Sequence, residues 1–508
     1  RTHLILGTVG KNVAFSIESH TWETDGFDFI KASSDNTGFD KDDVVIKFRL
    51  NSDKDEDRIY HELNFKYQDS DEISDQSYVG LSDDDFRIDP HARYGLTAYD
   101  EMDNKHEQWS VNYLADFGNL EFSATIYEND FTRNWFKVDK IDNKKIYGLG
   151  NGINNIIDAA NLGKAGASAI LNGTNTQAVE IKLKNNNRTY TSEGTDLKIQ
   201  YNTDRQSLTV GYRSTEDSED RFQIYEYADW TGGKLGPLTK GEAPGYSSNN
   251  RLTYSEATAF YINEEINLGA LTLNLGYRSE DWEISQDRYV DVNRTAVNTA
   301  KGYPKKLTDS DNSLIGFGAT YEVSDTTSLF IGFHEGFTPT GGGADSEEAD
   351  NLELGVRYIT EDTFAEFIVF NTDYANMFGT CTASGGAVGS CDQGDSFNGG
   401  AATIEGIELA LKKVWQADNG TVYPVSLTYT STNAQFDSSF KSSFWGNVNA
   451  GMDLPDLPDT QLALSVGFEI DNGWTGDATL YSYGSACSVA ACSTGTEIDS
   501  YDVIDVSL

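Results

Sequence analysis

The stretch Leu462–Ile470, LALSVGFEI, shows the pattern that decides the fold. Its even-numbered positions are all apolar, and its odd-numbered positions are small or charged. A period of two predicts a β-strand with one apolar face and one face turned to water. The same alternation recurs in 271–277 (LTLNLGY), 407–413 (IELALKK), 44–50 (VVIKFRL) and 503–508 (VIDVSL).

Nineteen segments carry this alternation along the chain. We predict strands at 2–9, 12–24, 43–51, 59–69, 107–115, 119–130, 195–202, 206–214, 251–264, 270–279, 313–322, 326–336, 348–359, 363–374, 401–414, 422–434, 461–470, 473–484 and 501–508. The connections between them alternate strictly between short and long. The long, polar ones are 25–42, 70–106, 131–194, 215–250, 280–312, 337–347, 375–400, 435–460 and 485–500.

This alternation of connections predicts antiparallel, up-and-down strands with all the long loops at one end. It is the pattern of an outer-membrane β-barrel, with short periplasmic turns and long extracellular loops. In lipid every backbone N–H and C=O needs a partner, which only a closed sheet provides. The fold expected is therefore all-β, one large antiparallel transmembrane barrel over 1–508. A soluble propeller or stacked sandwich is the alternative, but its strands would be shorter and its loop lengths would not alternate.

The composition excludes several other classes of protein. Asp and Glu number 81 against 38 Lys and Arg, a formal charge of -43 in 508 residues, so nucleic acid is a poor partner. No apolar run approaches the length of a spanning helix. Trp, Tyr and Phe number 8, 27 and 26, too many for a disordered chain. The sequence has no HExxH, G-x-S-x-G or Walker motif, so we do not expect an enzyme.

Several stretches resemble the TonB-dependent receptors. Residues 329–358, LFIGFHEGFTPTGGGADSEEADNLELGVRY, are similar to the late-barrel signature of that family. Residues 364–377 and 402–411 resemble its "Y-x-x-D-Y-x-N" and "G-x-E-x-x" strands, with Phe370 where the family usually has Tyr. The final YDVIDVSL looks like the family's third strand from the end.

A narrower resemblance points to the ferric-dicitrate branch of that family. It lies in 35–50, 78–108 and 129–137, and its longest motif is GL-x-x-x-DF-x-x-DP-x-x-RY at Gly80–Tyr94. The resemblance implies an outer-membrane receptor that takes up a ferric chelate, namely ferric citrate or a similar siderophore. It leaves open another ligand, such as cobalamin or an oligosaccharide, and a passive channel.

The resemblance also implies parts that this chain does not carry. The family has 22 strands and a globular plug, so we expect one strand to be missing before Arg1 and two after Leu508. The plug, through which the TonB complex acts, would be missing as well. The other expected partners are the ferric chelate, lipopolysaccharide and outer-membrane lipid, and we expect a monomer without a resident cofactor.

An anionic chelate requires fixed cations near the long loops, and the arginine fork matches a carboxylate best. The candidate ligand-binding residues are Arg93, Arg133, Arg213, Arg251, Arg278 and His334. For each of these residues, a structural ion pair or a lipopolysaccharide contact is the alternative.

Two further groups of residues occur in the long loops. The acidic residues Asp35, Asp40 and Asp42 are candidate calcium ligands, because Ca²⁺ prefers carboxylate oxygens; general adaptation to a salty medium is the alternative. The cysteines form two close pairs, Cys381 with Cys391 and Cys487 with Cys492. Neither pair has metal-binding spacing, so we predict two disulfides, which suit an oxidising exterior.

Overall fold

The computed structural model describes residues 1–33, 35–54, 59–141, 152–241, 250–339, 346–380, 396–442, 446–471, 473–490, 492 and 496–508. In these residues the strands are β1 Thr2–Val9, β2 Val13–Thr24, β3 Phe29–Ile30, β4 Phe39–Asn51, β5 Tyr60–Ser74, β6 Ala92–Arg93, β7 Glu101–Asp116, β8 Leu120–Ile141, β9 Val179–Asn202, β10 Gln206–Thr231, β11 Lys234–Leu235, β12 Thr239–Lys240, β13 Asn250–Asn267, β14 Leu271–Arg288 and β15 Lys305–Ser324. They continue with β16 Thr327–Thr338, β17 Glu347–Ile359, β18 Thr363–Ala375, β19 Phe378–Thr380, β20 Ser396–Asn398, β21 Ala402–Gln416, β22 Val422–Phe436, β23 Phe440–Ser442, β24 Gly446–Val448, β25 Thr460–Glu469, β26 Thr475–Tyr483, β27 Ala486–Cys487, β28 Glu497–Ile498 and β29 Tyr501–Ser507. The α-helices are α1 Asp83–Ile88, α2 Ile153–Asn161 and α3 Ala165–Leu171, and two 3₁₀ turns lie at Gly95–Thr97 and Thr299–Lys301.

The predicted strands are confirmed. Each of the nineteen segments coincides with a strand of seven or more residues. Those strands, with β11 and β12, form one 21-stranded antiparallel sheet. Within the described residues, no helix has the length and apolar character that a membrane crossing would need.

The alternation produces two chemically different faces. Register places one apolar row across five strands, made of Phe15, Phe48, Phe65, Val111 and Ile126. The next row belongs to the opposite face and consists of Ser16, Lys47, Lys66, Ser110 and Tyr127. We call these the apolar face and the polar face of the sheet.

The predicted ends of several strands were wrong. β9 begins at Val179 rather than at 195, and β10 runs to Thr231 rather than 214. Farther from the short turns both faces carry polar side chains, so the period-two signal fades while the backbone ladder continues. Part of the predicted loop 131–194 is also helical, in α2 and α3.

The chain divides into two compact units. The first comprises Arg1–Ile199, Gly211–Ala259 and Asp281–Ser310. Within it the long connections enclose an apolar cluster, the loop core, made of Tyr94, Leu96, Val138, Ile141, Ile153, Ile156, Ala159, Ala160, Ala167, Ile170, Leu171, Ile181, Leu183, Ala228 and Trp230. Trp230 is 1% exposed and its Nε1 donates to the Ile170 carbonyl at 2.7 Å. These connections are therefore folded, not merely polar tethers.

The second unit comprises Gln200–Val210, Phe260–Glu280 and Asp311–Leu508. A small apolar cluster in it consists of Ala402, Ala434, Phe436, Val448, Leu454 and Ala490. The predicted disulfide Cys487–Cys492 is present in this unit, next to Ala490 in sequence. Cys381 and Cys391 lie outside the described residues.

Candidate ligand-binding site

Four arginines from four strands meet around one glutamate in the first unit. They are Arg133 of β8, Arg188 of β9, Arg221 of β10 and Arg251 of β13, and we call them the arginine cluster. Glu219 of β10 forms ion pairs with Arg188 Nη1 and with Arg251 Nη2, each with an N···O distance of 2.9 Å. Each arginine occupies a strand position that alternates with apolar positions nearer the short turns, which assigns the cluster to the polar face.

The cluster has more positive charge than its one carboxylate can neutralise. Arg221 is 3% exposed, and burial together with the charges of Arg188 and Arg251 lowers its pKa to about 10. Burial also lowers the pKa of Arg133. The buried Nε atoms of all four arginines lack a hydrogen-bond partner in the described part of the chain. Unsatisfied donors and excess charge together favour an incoming anion.

Neighbouring polar groups and rings orient the guanidinium groups. Arg188 Nη1 donates to the Tyr190 hydroxyl at 2.9 Å, and the Tyr190 ring stacks on Phe131 with centroids 6.1 Å apart. Arg221 Nη2 donates to Gln223 Oε1 at 3.3 Å, and Gln223 Nε2 donates to Asn186 Oδ1. The cluster is thus held by side chains of the same strands.

A second set of cations follows the cluster along β8 and β9. Lys137 Nζ lies 3.8 Å from the Tyr78 ring centroid and 3.9 Å from that of Trp135. Lys182 Nζ lies 4.0 Å from the Tyr225 ring centroid. Burial lowers the pKa of Lys137 to about 8. Rings and ammonium groups here form cation–π contacts on the loop side of the arginine cluster.

The structure brings two of the predicted ligand residues, Arg133 and Arg251, into the cluster. Arg213 lies lower on the polar face of β10, with Nη2 3.4 Å from the Tyr127 hydroxyl. Arg93 instead donates to the backbone carbonyls of Asp75 and Thr97, an arrangement that fixes a loop.

The other two predicted ligand residues belong to the second unit. Arg278 Nε donates to Glu280 Oε2 at 2.7 Å. His334 lies in β16, where its backbone carbonyl accepts from Asn351 Nδ2 at 3.3 Å. A role for any of these residues in ligand binding stays a prediction.

Sequence reasoning missed Arg188, Arg221 and Lys137 because the predicted β8 and β10 ended too early and the predicted β9 began too late. A signal was present at 181–184, IKLK, where Ile181 and Leu183 are fully buried and alternate with two lysines. That alternation would have extended β9 upward and placed Arg188 on the polar face.

The candidate calcium ligands do not converge. Asp35 accepts from the Ser33 hydroxyl in a loop, whereas Asp40 and Asp42 lie in β4, where Asp42 accepts from Thr21. Among the described residues no group of three His, Cys, Asp or Glu is placed to hold a metal ion. Calcium binding therefore remains a prediction without a described site.

Comparison with known proteins decides the family. Residues 47–508 match the family described as "TonB dependent receptor-like, beta-barrel". The chain belongs to this family. The predicted barrel class is thereby confirmed, and in such barrels the polar face lines the lumen and the short turns are periplasmic. The arginine cluster then lies beyond the roughly ten residues of each strand that cross the bilayer.

Solved structures of this barrel type are similar over almost the whole chain. The ferric citrate transporter FecA, unliganded, has a TM-score of 0.68 at 16% identity, covering 99% of this chain and 66% of its own. The siderophore receptor PiuA from Acinetobacter baumannii has a TM-score of 0.69 at 13% identity, with coverages of 99% and 74%. The ferric yersiniabactin uptake receptor FyuA from Yersinia pestis has 0.66 at 14%, with coverages of 99% and 69%. The chain thus spans just under two thirds of the length of FecA.

Proposed function

We propose that the protein is an outer-membrane receptor that takes up an anionic ferric chelate, ferric citrate or a similar carboxylate-bearing siderophore. The arginine cluster carries this proposal. Four guanidinium groups with one carboxylate among them provide charge-assisted donors for an oxyanion. In a chain with a net charge of -43, such a local excess of cations indicates a site for an anionic ligand.

The kind of side chain favours a carboxylate ligand. Guanidinium forks bind carboxylates in a bidentate manner, whereas lysine acts as a point charge. The lysine–aromatic set around Lys137 lies on the loop side of the cluster and suits first contact with the chelate. Neutral ligands such as an oligosaccharide would gain little from either set.

Energy coupling to the TonB complex is part of the same proposal. It is supported by the family membership and by the likeness to the ferric citrate transporter FecA and the siderophore receptor PiuA. Iron uptake should therefore stop in a strain without TonB. A passive channel would retain uptake in that strain.

The binding proposal is tested by the double variant Arg133→Gln/Arg251→Gln. Titration calorimetry of the purified receptor with ferric citrate should show an affinity at least about tenfold lower, because each lost charge-assisted bond is worth about 1.5–3 kcal/mol. Glu219 keeps Arg188 as its partner in this variant, so the fold should hold.

Lys105→Gln is the matched control. Lys105 lies on β7 beside Asn104, the cross-strand partner of Arg133, but its ammonium group interacts with Asp69 and Asp71. The control removes a positive charge from the opposite face and should leave binding unchanged. Equal affinity in all three proteins, or an equal loss in the control, would refute the proposal.

A further inference from the structure

The connection after β14 carries an arginine with a strained backbone. Arg294 has a φ of 54°, a left-handed conformation that residues with a Cβ rarely adopt. Asp291 holds this turn: its carboxylate accepts from the backbone N–H of Asn293 at 2.8 Å and from that of Thr295 at 3.3 Å. A strained conformation persists where the surrounding contacts require it, which directs attention to the Arg294 side chain.

The Arg294 guanidinium joins β10 to β13. Its Nη1 and Nη2 donate to the two carboxylate oxygens of Asp220 in β10, at 2.8 Å and 2.5 Å. Its Nε donates at 2.9 Å to Oδ1 of Asn250, the first residue of β13. Asn250 is fully buried, and its Nδ2 donates to the Asp291 carbonyl at 2.8 Å. Arg294 thus bonds to two strands that pair with each other in the sheet.

The same part of these two strands contributes the central ion pair of the arginine cluster. Asp220 directly follows Glu219 in β10, and Asn250 directly precedes Arg251 in β13. Successive side chains of a strand point to opposite faces of the sheet. Arg294 therefore holds β10 and β13 from the outer face, at the level where Glu219 and Arg251 pair at 2.9 Å on the polar face.

Aromatic rings restrict the position of the Arg294 side chain. Its guanidinium carbon lies 5.2 Å from the Tyr289 ring centroid and 5.6 Å from that of Phe222, both within the range of a cation–π contact. The Arg294 and Asp220 side chains are 22% and 40% exposed. Because a partly exposed ion pair adds little to stability, stability alone does not account for a strained residue at this place.

We propose that Arg294 is a positioning residue for the anion site. It fixes β13 against β10, so that the Arg251 guanidinium meets Glu219 and stands beside Arg221. This rests on the proposed function, because the site that it positions is the arginine cluster. Directional bonds to a ligand require side chains that a supporting layer of contacts holds in place. Arg294 acts through the two strands, since it lies on the face opposite to the cluster.

The test is a double-mutant cycle between Arg294→Gln and Arg251→Gln in the purified receptor. Calorimetry with ferric citrate should show an affinity about three- to tenfold lower for Arg294→Gln, because one charge-assisted bond is misaligned. In the Arg251→Gln background the same substitution should change the affinity less than about twofold, because its effect passes through Arg251. Arg294→Gly removes the backbone strain together with the side chain. It should give the same two results, and it carries the test where the glutamine variant fails to fold.

A second measurement needs no ligand. Phenylglyoxal modifies accessible guanidinium groups, and peptide mass spectrometry gives the rate at each arginine. Arg251 should react faster in Arg294→Gln than in the wild type, whereas Arg133 of β8 should react at the same rate in both. Lys306→Gln is the matched control: it removes a cation of the same connection, one that pairs with Glu283 at 2.8 Å and with Asp309 at 2.7 Å. It should leave the affinity and both rates unchanged.

Two results would overturn the positioning role. Where Arg251→Gln weakens binding, one such result is an Arg294→Gln variant that keeps wild-type affinity or loses it equally with and without Arg251. The other is an Arg251 rate that stays the same in Arg294→Gln, or that rises no more than the Arg133 rate, as general loosening would cause.

The ligand-free measurement also separates this proposal from the proposed function. If Arg133→Gln/Arg251→Gln keeps wild-type affinity while Arg251 alone becomes more reactive in Arg294→Gln, the proposed function fails. The positioning of Arg251 by Arg294 then stands.

Discussion

Arg221 shows how a single residue can favour binding at the expense of stability. Its guanidinium is nearly wholly buried, its Nε lacks a partner in the described residues, and two neighbouring arginines repel it. Both burial and repulsion disfavour the charged form, which its lowered pKa of about 10 expresses. A residue kept under such conditions usually belongs to a functional site.

Arg221→Gln should therefore stabilise the receptor and weaken its ligand binding. Loss of the buried charge should raise the free energy of unfolding by about 1–3 kcal/mol, while ferric citrate affinity falls. Thermal unfolding and calorimetry measure the two effects. Arg93→Gln is the contrasting variant: it removes donors to two backbone carbonyls and should destabilise the receptor. An Arg221→Gln variant that loses stability would contradict this argument.

Asp100 is a buried carboxyl group that ties a loop to β8. It accepts from the Ser77 hydroxyl at 2.6 Å and from the Val138 N–H at 2.8 Å, and it is 3% exposed. Burial raises its pKa to about 7, against those hydrogen bonds and the charges of Arg93 and Lys137. Its pKa is higher folded than unfolded, so its stabilising contribution is complete below about pH 4 and is lost as the pH rises towards 7.

The loop core should accordingly open more readily at pH 7.5 than at pH 5. Hydrogen exchange of the α2 and α3 amides, expressed as protection factors, measures this opening. In Asp100→Asn the difference between the two pH values should largely disappear, because the titrating group is gone while an acceptor oxygen remains. Protection that rises with pH in the wild type, or an unchanged pH dependence in Asp100→Asn, would contradict the assignment.

At the scale of the strand, aromatic side chains cover glycines of the neighbouring strand. A Cβ on Gly355 of β17 would lie 2.2 Å from the Phe330 ring, and one on Gly406 of β21 would lie 2.7 Å from the Phe370 ring. The aromatic ring covers the space above the glycine, where a side chain would otherwise lie. This apolar contact stabilises the pairing of the two strands. These glycines are thus required by packing, not by backbone conformation.

Gly355→Ala should destabilise the second unit by about 1–3 kcal/mol, because the Phe330 ring must leave its position. Gly332→Ala is the matched control, since Gly332 lies in the adjacent strand β16 and a Cβ there would meet nothing within 4 Å. Thermal unfolding of the two variants measures the difference. Equal melting temperatures would show that the aromatic cover contributes nothing.

The pattern along each strand determines how much of that strand the sequence could predict. Near the short turns one face must be apolar, so alternation at 206–214 located β10 correctly. Beyond that region lipid no longer imposes apolar residues, and β10 continues to Thr231 with Ala228 and Trp230 buried in the loop core. Arg188 and Arg221 lie in these extensions, so their meeting with Arg133 and Arg251 depends on strand register, which local patterns do not encode.

At the scale of the whole molecule, the net charge and the site have opposite signs. The chain has a net formal charge of -43, whereas the arginine cluster holds four guanidinium groups and one carboxylate. Long-range repulsion should slow the approach of an anionic chelate, and the local cations should retain it once it arrives. Salt screens distant charges more strongly than close or buried ones, with a Debye length of about 8 Å at physiological ionic strength.

The association rate of ferric citrate should therefore increase with ionic strength, contrary to ordinary electrostatic steering. Between about 0.01 and 0.15 M salt the Debye length falls from about 30 to about 8 Å. Salt in this range screens the long-range repulsion by the acidic surface, but it screens the short contacts between the chelate and the arginine cluster much less. Stopped-flow measurement of intrinsic tryptophan fluorescence would give the rate constants. An uncharged ferric chelate serves as the control and should associate at a rate independent of salt. An association rate that falls as salt rises would mean that the cations of the polar face, and not the acidic surface, determine the field that the chelate meets.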